Sequence, residues 1–538
     1  MKLSRYLFFI AIVVAVTCPP ANGLPAMATG TVSDVQDQAT GSVSGVVFHD
    51  RTGCGAFISG TDLPIEGVAV SNGREIAVTG ADGLYELPLR DNSAVFVIKP
   101  RDWMVEVDKN MLPRFYHLHG PSGATGSKFE GMPPTVISNS RADFPLYPSP
   151  EPDKFDVLVF GDTQPRNEQE IYYLSHDVLA ELTGTGAAFG VTLGDIVFDD
   201  LDLFGHLAES IATIGIPWRY VLGNHDIDFS ADNDYDARGT WYRTFGPSYY
   251  SFTYGPAHFI VLDNIKWLVD GDKRFYRTGL GTDQMQFLRN ELERIGEDRL
   301  VFLMVHIPYT GSTAWQSEEE REELYRLLAD YPQAVSLVAH THRHYHHFLG
   351  EDEGFPGDRP HHMVSVGTVC GSWWTGAPDN YGIPHAMMSD GTPLSYTFLH
   401  IDEGEWKMSL QAARRPGEFQ MHIHAPDHIC ACDDATDIIV NIFNALPTAS
   451  VKMRFAGGGD WIPMERSPMN DPVRIAVMQR ERSLGEEVPF RHLGRAAPSE
   501  HIWVANAQLP VEPGVYVIEV QAQDCWWEYS GRRLIHVR

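Results

Sequence analysis

"PWRYVLGNHD", Pro217–Asp226, decides the fold: an apolar run that reads as a strand and stops abruptly at Asn224, His225 and Asp226. Four other short apolar runs end the same way. "DVLVFGDTQ" closes on Asp162 and Gln164, "FGVTLGD" on Asp195, "RLVFLMVH" on His306 and "AVSLVAHTH" on His340 and His342. Helical segments are interleaved. "TDQMQFLRNELERIG" starts at Thr282 and repeats apolar residues at helical spacing, while "SEEEREELYRLLADY" has Ser317 as N-cap and Glu320 three residues on, a capping box. Strands alternating with helices predict an α/β domain with a largely parallel sheet interior. In such sheets ligands gather beyond the carboxyl ends of the strands, so the five loaded ends are expected to share one rim.

The donor set of that rim is carboxylates, amide oxygens and imidazoles, with no thiolate. Hard-to-borderline donors of this kind suit Mn, Fe or Zn, and two ions better than one. Two cations about 3.5–4 Å apart activate a water and neutralise the oxygens of a phosphoryl group. Each residue alone is ordinary: an Asp after a strand usually forms a turn or caps a helix, and a lone His is usually hydrogen-bonded in a core. The coincidence of five strand ends carries the inference.

Outward from this core, 151–358, the texture changes. Residues 41–147 alternate in short strands broken by turn signals such as Asn72-Gly73 and Asp82-Gly83, which predicts an N-terminal β-sandwich. "YPSPEPDK" links it to the core. Residues 359–538 return to strands, a C-terminal β-rich domain whose first runs, "MVSVGTV" and "PLSYTFLHID", are candidates to complete the core sheets.

At the N-terminus Lys2 and Arg5 precede the apolar run Tyr6 to Val16, too short to span a bilayer and of signal-peptide length. Residues 1–28 are expected to be an export signal, giving a periplasmic or extracellular protein without stable membrane insertion. A formal net charge of -30 argues against a nucleic-acid duplex as partner. An anionic substrate would need a locally positive spot, which a metal site supplies; no protein partner is evident. Five cysteines follow the signal, an odd set that is no disulfide framework, and Cys430-Ala-Cys432 reads as structural or free thiols.

"GDTQ", "GDIVFDD", "GNHD", "VHIP" and "AHTH", in that order from Asp162 to His342, resemble the signature of the calcineurin-like metallophosphoesterases. The flanks, with "GVAVSNG" and "CGSWWTG", resemble the bacterial three-part members with N- and C-terminal accessory domains. The resemblance implies a four-layer αββα core. It implies two divalent ions, Mn before Fe or Zn: Asp162, Gln164 and His342 on one, Asn224, His306 and His340 on the other, Asp195 bridging. A bridging hydroxide would attack a small phosphomonoester or phosphodiester, with His225 as general acid. Three positions depart from the family pattern. Gln164 stands where a His is usual, Phe198 stands at the second Asp of the GD motif, and Ala339 replaces a Gly. With Phe198 in that place, the partner of His225 is Asp199 or Asp226. Trp373 and Trp374 are candidates to stack on substrate, or equally to cement the core to its C-terminal neighbour. His344, His346 and His347 read as a partly exposed loop, with a contact to substrate phosphate as the sharper alternative. The rival to an enzyme is a non-catalytic exported binding protein on the same scaffold.

Overall fold

Alternation along the strand Lys154–Phe160 lays out the layers. Val157 and Val159 face one apolar core while Leu158 and Phe160 face another, as a period of two requires. A strand apolar on both faces needs cover on both. The computed structural model, which describes residues 39–125, 128–310, 315–430, 435–457, 460–485, 487–508 and 512–538, shows what supplies it. The expected export segment, 1–28, lies outside the described residues.

The first core sheet runs Trp218–Val221, Phe189–Leu193, Lys154–Phe160, Ser395–Asp402, Glu405–Ala412, its first three strands parallel and the last two antiparallel. The second runs Tyr250–Tyr254, Ala257–Val261, Leu300–Met304, Ala334–Val338, His361–Ser365, Tyr345–Leu349, parallel in its interior. Val157, Val191 and Leu193 of one share a core with Phe259, Val301 and Leu303 of the other, so the sheets stack face to face. On the outer face of the first sheet, helices Glu168–Leu174 and Phe204–Ala212 bury Ile171, Leu174, Phe204 and Leu207 against Leu158 and Phe160. On the second, Thr282–Ile295 and Glu318–Ala329 bury Phe287, Leu288 and Leu324. Ser317 caps the latter by accepting from the Glu320 amide, as expected. The result is the αββα core.

"MVSVGTV" and "PLSYTFLHID" do join the core, in His361–Ser365 and Ser395–Asp402. The N-terminal region forms two sheets, one around Gly41–His49 and one around Ser93–Val97. It packs on the core through Phe96 against Phe287, ring centroids 5.7 Å apart. The region from Met421 builds a four-stranded and a five-stranded sheet over a separate core that includes Ile438, Val440, Trp503, Ile518 and Ile535, with a two-stranded pair besides. Cys430 is disulfide-bonded, which corrects the expectation of a thiol there; Cys54, Cys370 and Cys525 are free. Among the described residues no helix is long and apolar enough to cross a membrane.

Candidate metal centre

Three of the five loaded strand ends, those of Gln164, Asp195 and His340, are held by a backbone that turns sharply just beyond the strand. Gln164, Asp195, Asp199, His340, His342, Trp373 and Trp374 all have positive φ, a left-handed conformation unusual for residues with a Cβ. Such strain costs of order 1–3 kcal/mol per residue and gathers at functional sites. Two glycines show why the turns begin as they do. A Cβ on Gly194 would lie 2.4 Å from His306 Nδ1, and one on Gly223 would lie 2.0 Å from the Asp195 backbone nitrogen. The glycine before each acid or amide is thus clearance for the neighbouring site residue.

The structure brings the sequence-predicted residues together. His306 Nε2 is 3.2 Å from Asp195 Oδ1, and His340 Nδ1 is 3.3 Å from His306 Nε2. His342 Nε2 is 3.5 Å from Asp162 Oδ1, whose Oδ2 accepts from the His340 amide at 3.1 Å. Gln164 Nε2 donates to Asp195 Oδ2 at 2.9 Å. Asn224 is buried on the loop that passes Asp195. Asp195, His306 and His340 by themselves present ligand atoms all within 4.8 Å of one another.

Whether this set fits cations is tested by its unmet valences. Asp162 Oδ1, Gln164 Oε1 and Asn224 Oδ1 are buried acceptors without a hydrogen bond, each a cost of about 1–3 kcal/mol if nothing fills it. His306 Nδ1–H donates to the Leu193 carbonyl at 2.7 Å and His342 Nδ1–H to the Gly371 carbonyl at 2.6 Å. Those bonds orient the rings and turn Nε2 of each toward a carboxylate of the rim, Asp195 for His306 and Asp162 for His342, the arrangement of a metal-ligating histidine. Burial, then the neighbouring His306, pushes His340 down to about 3, so its imidazole is neutral. Cys370, buried nearby, is driven well above the usual thiol range by burial and by Asp162, so it offers no thiolate. The residues present fit hard-to-borderline divalent ions.

His225 stands beside this cluster. Its amide donates to Asp195 Oδ1 at 2.9 Å, and its ring Nδ1–H donates to Asp199 Oδ1 at 2.6 Å. Asp199, not Asp226, is therefore its partner. Asp226 instead accepts from the amides of Ile196, Val197 and Gly223, pinning two loops of the rim. Phe198 stacks on the His225 ring at 4.5 Å and an interplanar angle of 24°. Burial opposes protonation of His225, but Asp199 and Asp195 hold its pKa above the ordinary value. The carbon-only Phe198 side chain holds the imidazole flat while Asp199 orients it.

The tryptophans divide. Trp373 stacks on His342 at 4.1 Å and remains half-buried at the rim. Trp374 is 2 % exposed in the helical core, near Tyr173; packing removes it from substrate contact, a correction to the expectation for the pair. His344 and His346 are also corrected: both are buried and hydrogen-bonded to Asn444 Oδ1, at 2.8 and 3.2 Å. His347 is half-buried and pairs with Glu353.

Two further residues at the rim, Arg166 and Arg491, escaped the sequence reading. Arg166 follows Gln164 by two positions in "GDTQPR" and its charge was a signal to be had; Arg491 has no local pattern to mark it.

Three family models match in chain order: the N-terminal part of calcineurin-like phosphoesterases over 55–133, calcineurin-like phosphoesterase over 155–345, and the C-terminal part of calcineurin-like phosphoesterases over 364–529. No curated protein matches the chain. Among solved structures, a purple acid phosphatase from yellow lupin (Lupinus luteus) is 13% identical, with a TM-score of 0.36, over 69% of this chain and 66% of its own. A Bacteroides uniformis β-glucuronidase mutant follows at 10% identity and TM-score 0.23, over 88% of this chain and 56% of its own. Likenesses at this level say nothing of the reaction. The family models, the αββα core and its two β-rich flanks place the chain in the calcineurin-like phosphoesterase family, in its three-part form.

Proposed function

We propose that this phosphoesterase hydrolyses a small phosphomonoester or phosphodiester with two divalent ions, Mn foremost, and works outside the cytoplasm. The observation that carries it is the set of three buried acceptor oxygens without a hydrogen bond, on the same rim as two imidazoles whose Nδ1–H is spent on a backbone carbonyl and whose Nε2 faces Asp195 or Asp162. Asp162, Gln164 and His342 would hold one ion, Asn224, His306 and His340 the other, and Asp195 would serve both. When bound, such a pair supplies Lewis acidity toward water and the phosphoryl oxygens. The protein's own groups do the rest. Asp199 fixes His225 with Nδ1–H engaged, so Nε2 is the atom that delivers a proton to the leaving oxygen. That role serves either ester type. The hard amide oxygen of Gln164 favours Mn. The disulfide at Cys430 supports an oxidising compartment, in keeping with the basic and apolar start of the chain.

Metal content and turnover of bis-p-nitrophenyl phosphate with added Mn test the proposal. His225→Ala is expected to keep its metal and lose about 10²–10⁴-fold in kcat. Equal turnover by the variant removes His225 from the mechanism. A wild type that binds metal and turns over no ester with any divalent ion leaves a binding protein on this scaffold.

A further inference from the structure

The chain is strongly acidic, with a formal net charge of -30, yet two guanidiniums meet at the rim of the centre. Arg166 lies 4.3 Å over the ring of Phe198, the ring that stacks on His225. Its Nη1 donates at 2.9 Å to the carbonyl of Trp373, whose indole stacks on His342. Arg491 arrives from the C-terminal part of the chain. Its Nη2 donates to the same carbonyl at 3.1 Å and to Glu170 Oε1 at 2.5 Å. Buried Glu170 accepts from the Arg166 amide through Oε2, and its Oε1 lies 3.6 Å from Arg166 Nη1.

One carboxylate between two guanidiniums leaves the group one positive charge in excess. Both guanidiniums donate to the one carbonyl of Trp373, so the two charges are close. Among the described residues, Nε and Nη2 of Arg166 and Nε and Nη1 of Arg491 have no hydrogen-bond partner. A planar fork with idle donors and surplus charge is suited to an oxyanion. The pair is also graded in depth: the Arg166 side chain is 25% exposed and that of Arg491 47%. The Phe198 ring touches both the Arg166 guanidinium and the His225 imidazole, and the carbonyl that accepts from both arginines belongs to Trp373, whose indole stacks on His342. The guanidiniums therefore adjoin, through Phe198 and Trp373, the residues that would handle the reacting phosphoryl group.

We infer that Arg166 and Arg491 clamp a second phosphate of the substrate, beyond the one that is cleaved, so that the C-terminal part of the chain forms one wall of the substrate site. The inference rests on the phosphoesterase reading above and narrows its substrate class to esters or anhydrides carrying a further phosphate. Electrostatic attraction to such a group is local and short-ranged, which reconciles an anionic substrate with an acidic protein.

Calorimetric titration of the Mn-loaded protein with methylphosphonate and with methylenebisphosphonate, at constant excess Mn, tests the clamp without requiring turnover. The wild type is expected to bind the bisphosphonate about 10-fold or more tightly than the monophosphonate. In Arg491→Ala the preference is expected to fall about 5-fold or more, and in Arg491→Lys, which keeps the charge but loses the fork, by less. Thermal melts monitor the fold; should Arg491→Ala unfold, Arg491→Gln keeps a donor for the Trp373 carbonyl and must show the same loss. An equal preference in wild type and variant, or no preference in the wild type, overturns the inference. If the preference follows Arg491 while no ester is hydrolysed, the clamp stands and the phosphoesterase reading fails.

Discussion

His340 and His342 belong to the same short tract as His344 and His346, "AHTHRHYHHF", and the two pairs meet opposite fates. His342 spends Nδ1 on a carbonyl and leaves Nε2 facing the unsatisfied Asp162 Oδ1. His344 has both ring nitrogens engaged: Nδ1 accepts from the Gly367 amide at 3.1 Å and Nε2–H donates to Asn444. His346 is likewise filled, between His362 and the same Asn444 oxygen. Asn444 in turn donates to the Met408 carbonyl on a core strand. One pair presents open valences to a rim; the other closes a polar junction between the core and the C-terminal region. A histidine count does not separate a ligand from a fastener, but the partner of each nitrogen does.

That contrast is breakable. The largest effect is expected at the open pair's side: Asp195→Asn removes the carboxylate that reaches His306, Gln164 and the His225 amide together. Loss of about 10³-fold or more in turnover, with metal content by atomic spectrometry falling below that of the wild type, is the expected outcome; full metal and full activity in this variant would dissolve the distinction. At the closed pair, Asn444→Ala strips two buried imidazoles of their acceptor. About 2–5 kcal/mol of stability should go in urea melts, while the bound metal stays. If metal is lost and stability is not, the roles assigned to the two pairs are exchanged.

The smallest effect is a dependence on acid. Burial pushes His361 down to about 4 from the ordinary 6.5, and burial with His362 and His344 pushes His346 well below it. A buried imidazole kept neutral binds its proton more readily in the unfolded chain. Its stabilising share is whole above pH 6.5 and is lost as pH falls toward 4. Between pH 7 and pH 5 the melts should register on the order of 1–2 kcal/mol for each such ring. A flat profile over that interval shows that these rings bind their protons as readily in the fold as in the unfolded chain.

Much of this molecule was legible before its fold. The strand ends were readable because a parallel sheet delivers its carboxyl ends to one side whatever the loops do, so Asp162, Asp195 and His306 converge without knowledge of any loop. The positions that misled are those where a single contact from far along the chain decides. His344 needed Asn444, which follows it by a hundred positions. Arg491 needed Glu170, more than three hundred positions away. Trp373 and Trp374 could not be told apart because consecutive left-handed residues throw neighbouring side chains to different sides, and no pattern of spacing encodes that turn. Asp199 and Asp226 were equal on paper until one met a ring nitrogen and the other three amides.

The left-handed residues of the rim have an implication for how the protein wears under mutation. Loops wound against their own preference stay in place because the apolar layers behind them are rigid, in particular Val159, Val191 and Leu303, all without solvent exposure. Loosening any of those layers gives the loops room to relax first. Conservative changes deep in the sheets are therefore expected to blunt chemistry while the chain still melts as a folded protein, which makes activity a finer gauge of core integrity here than any melting curve.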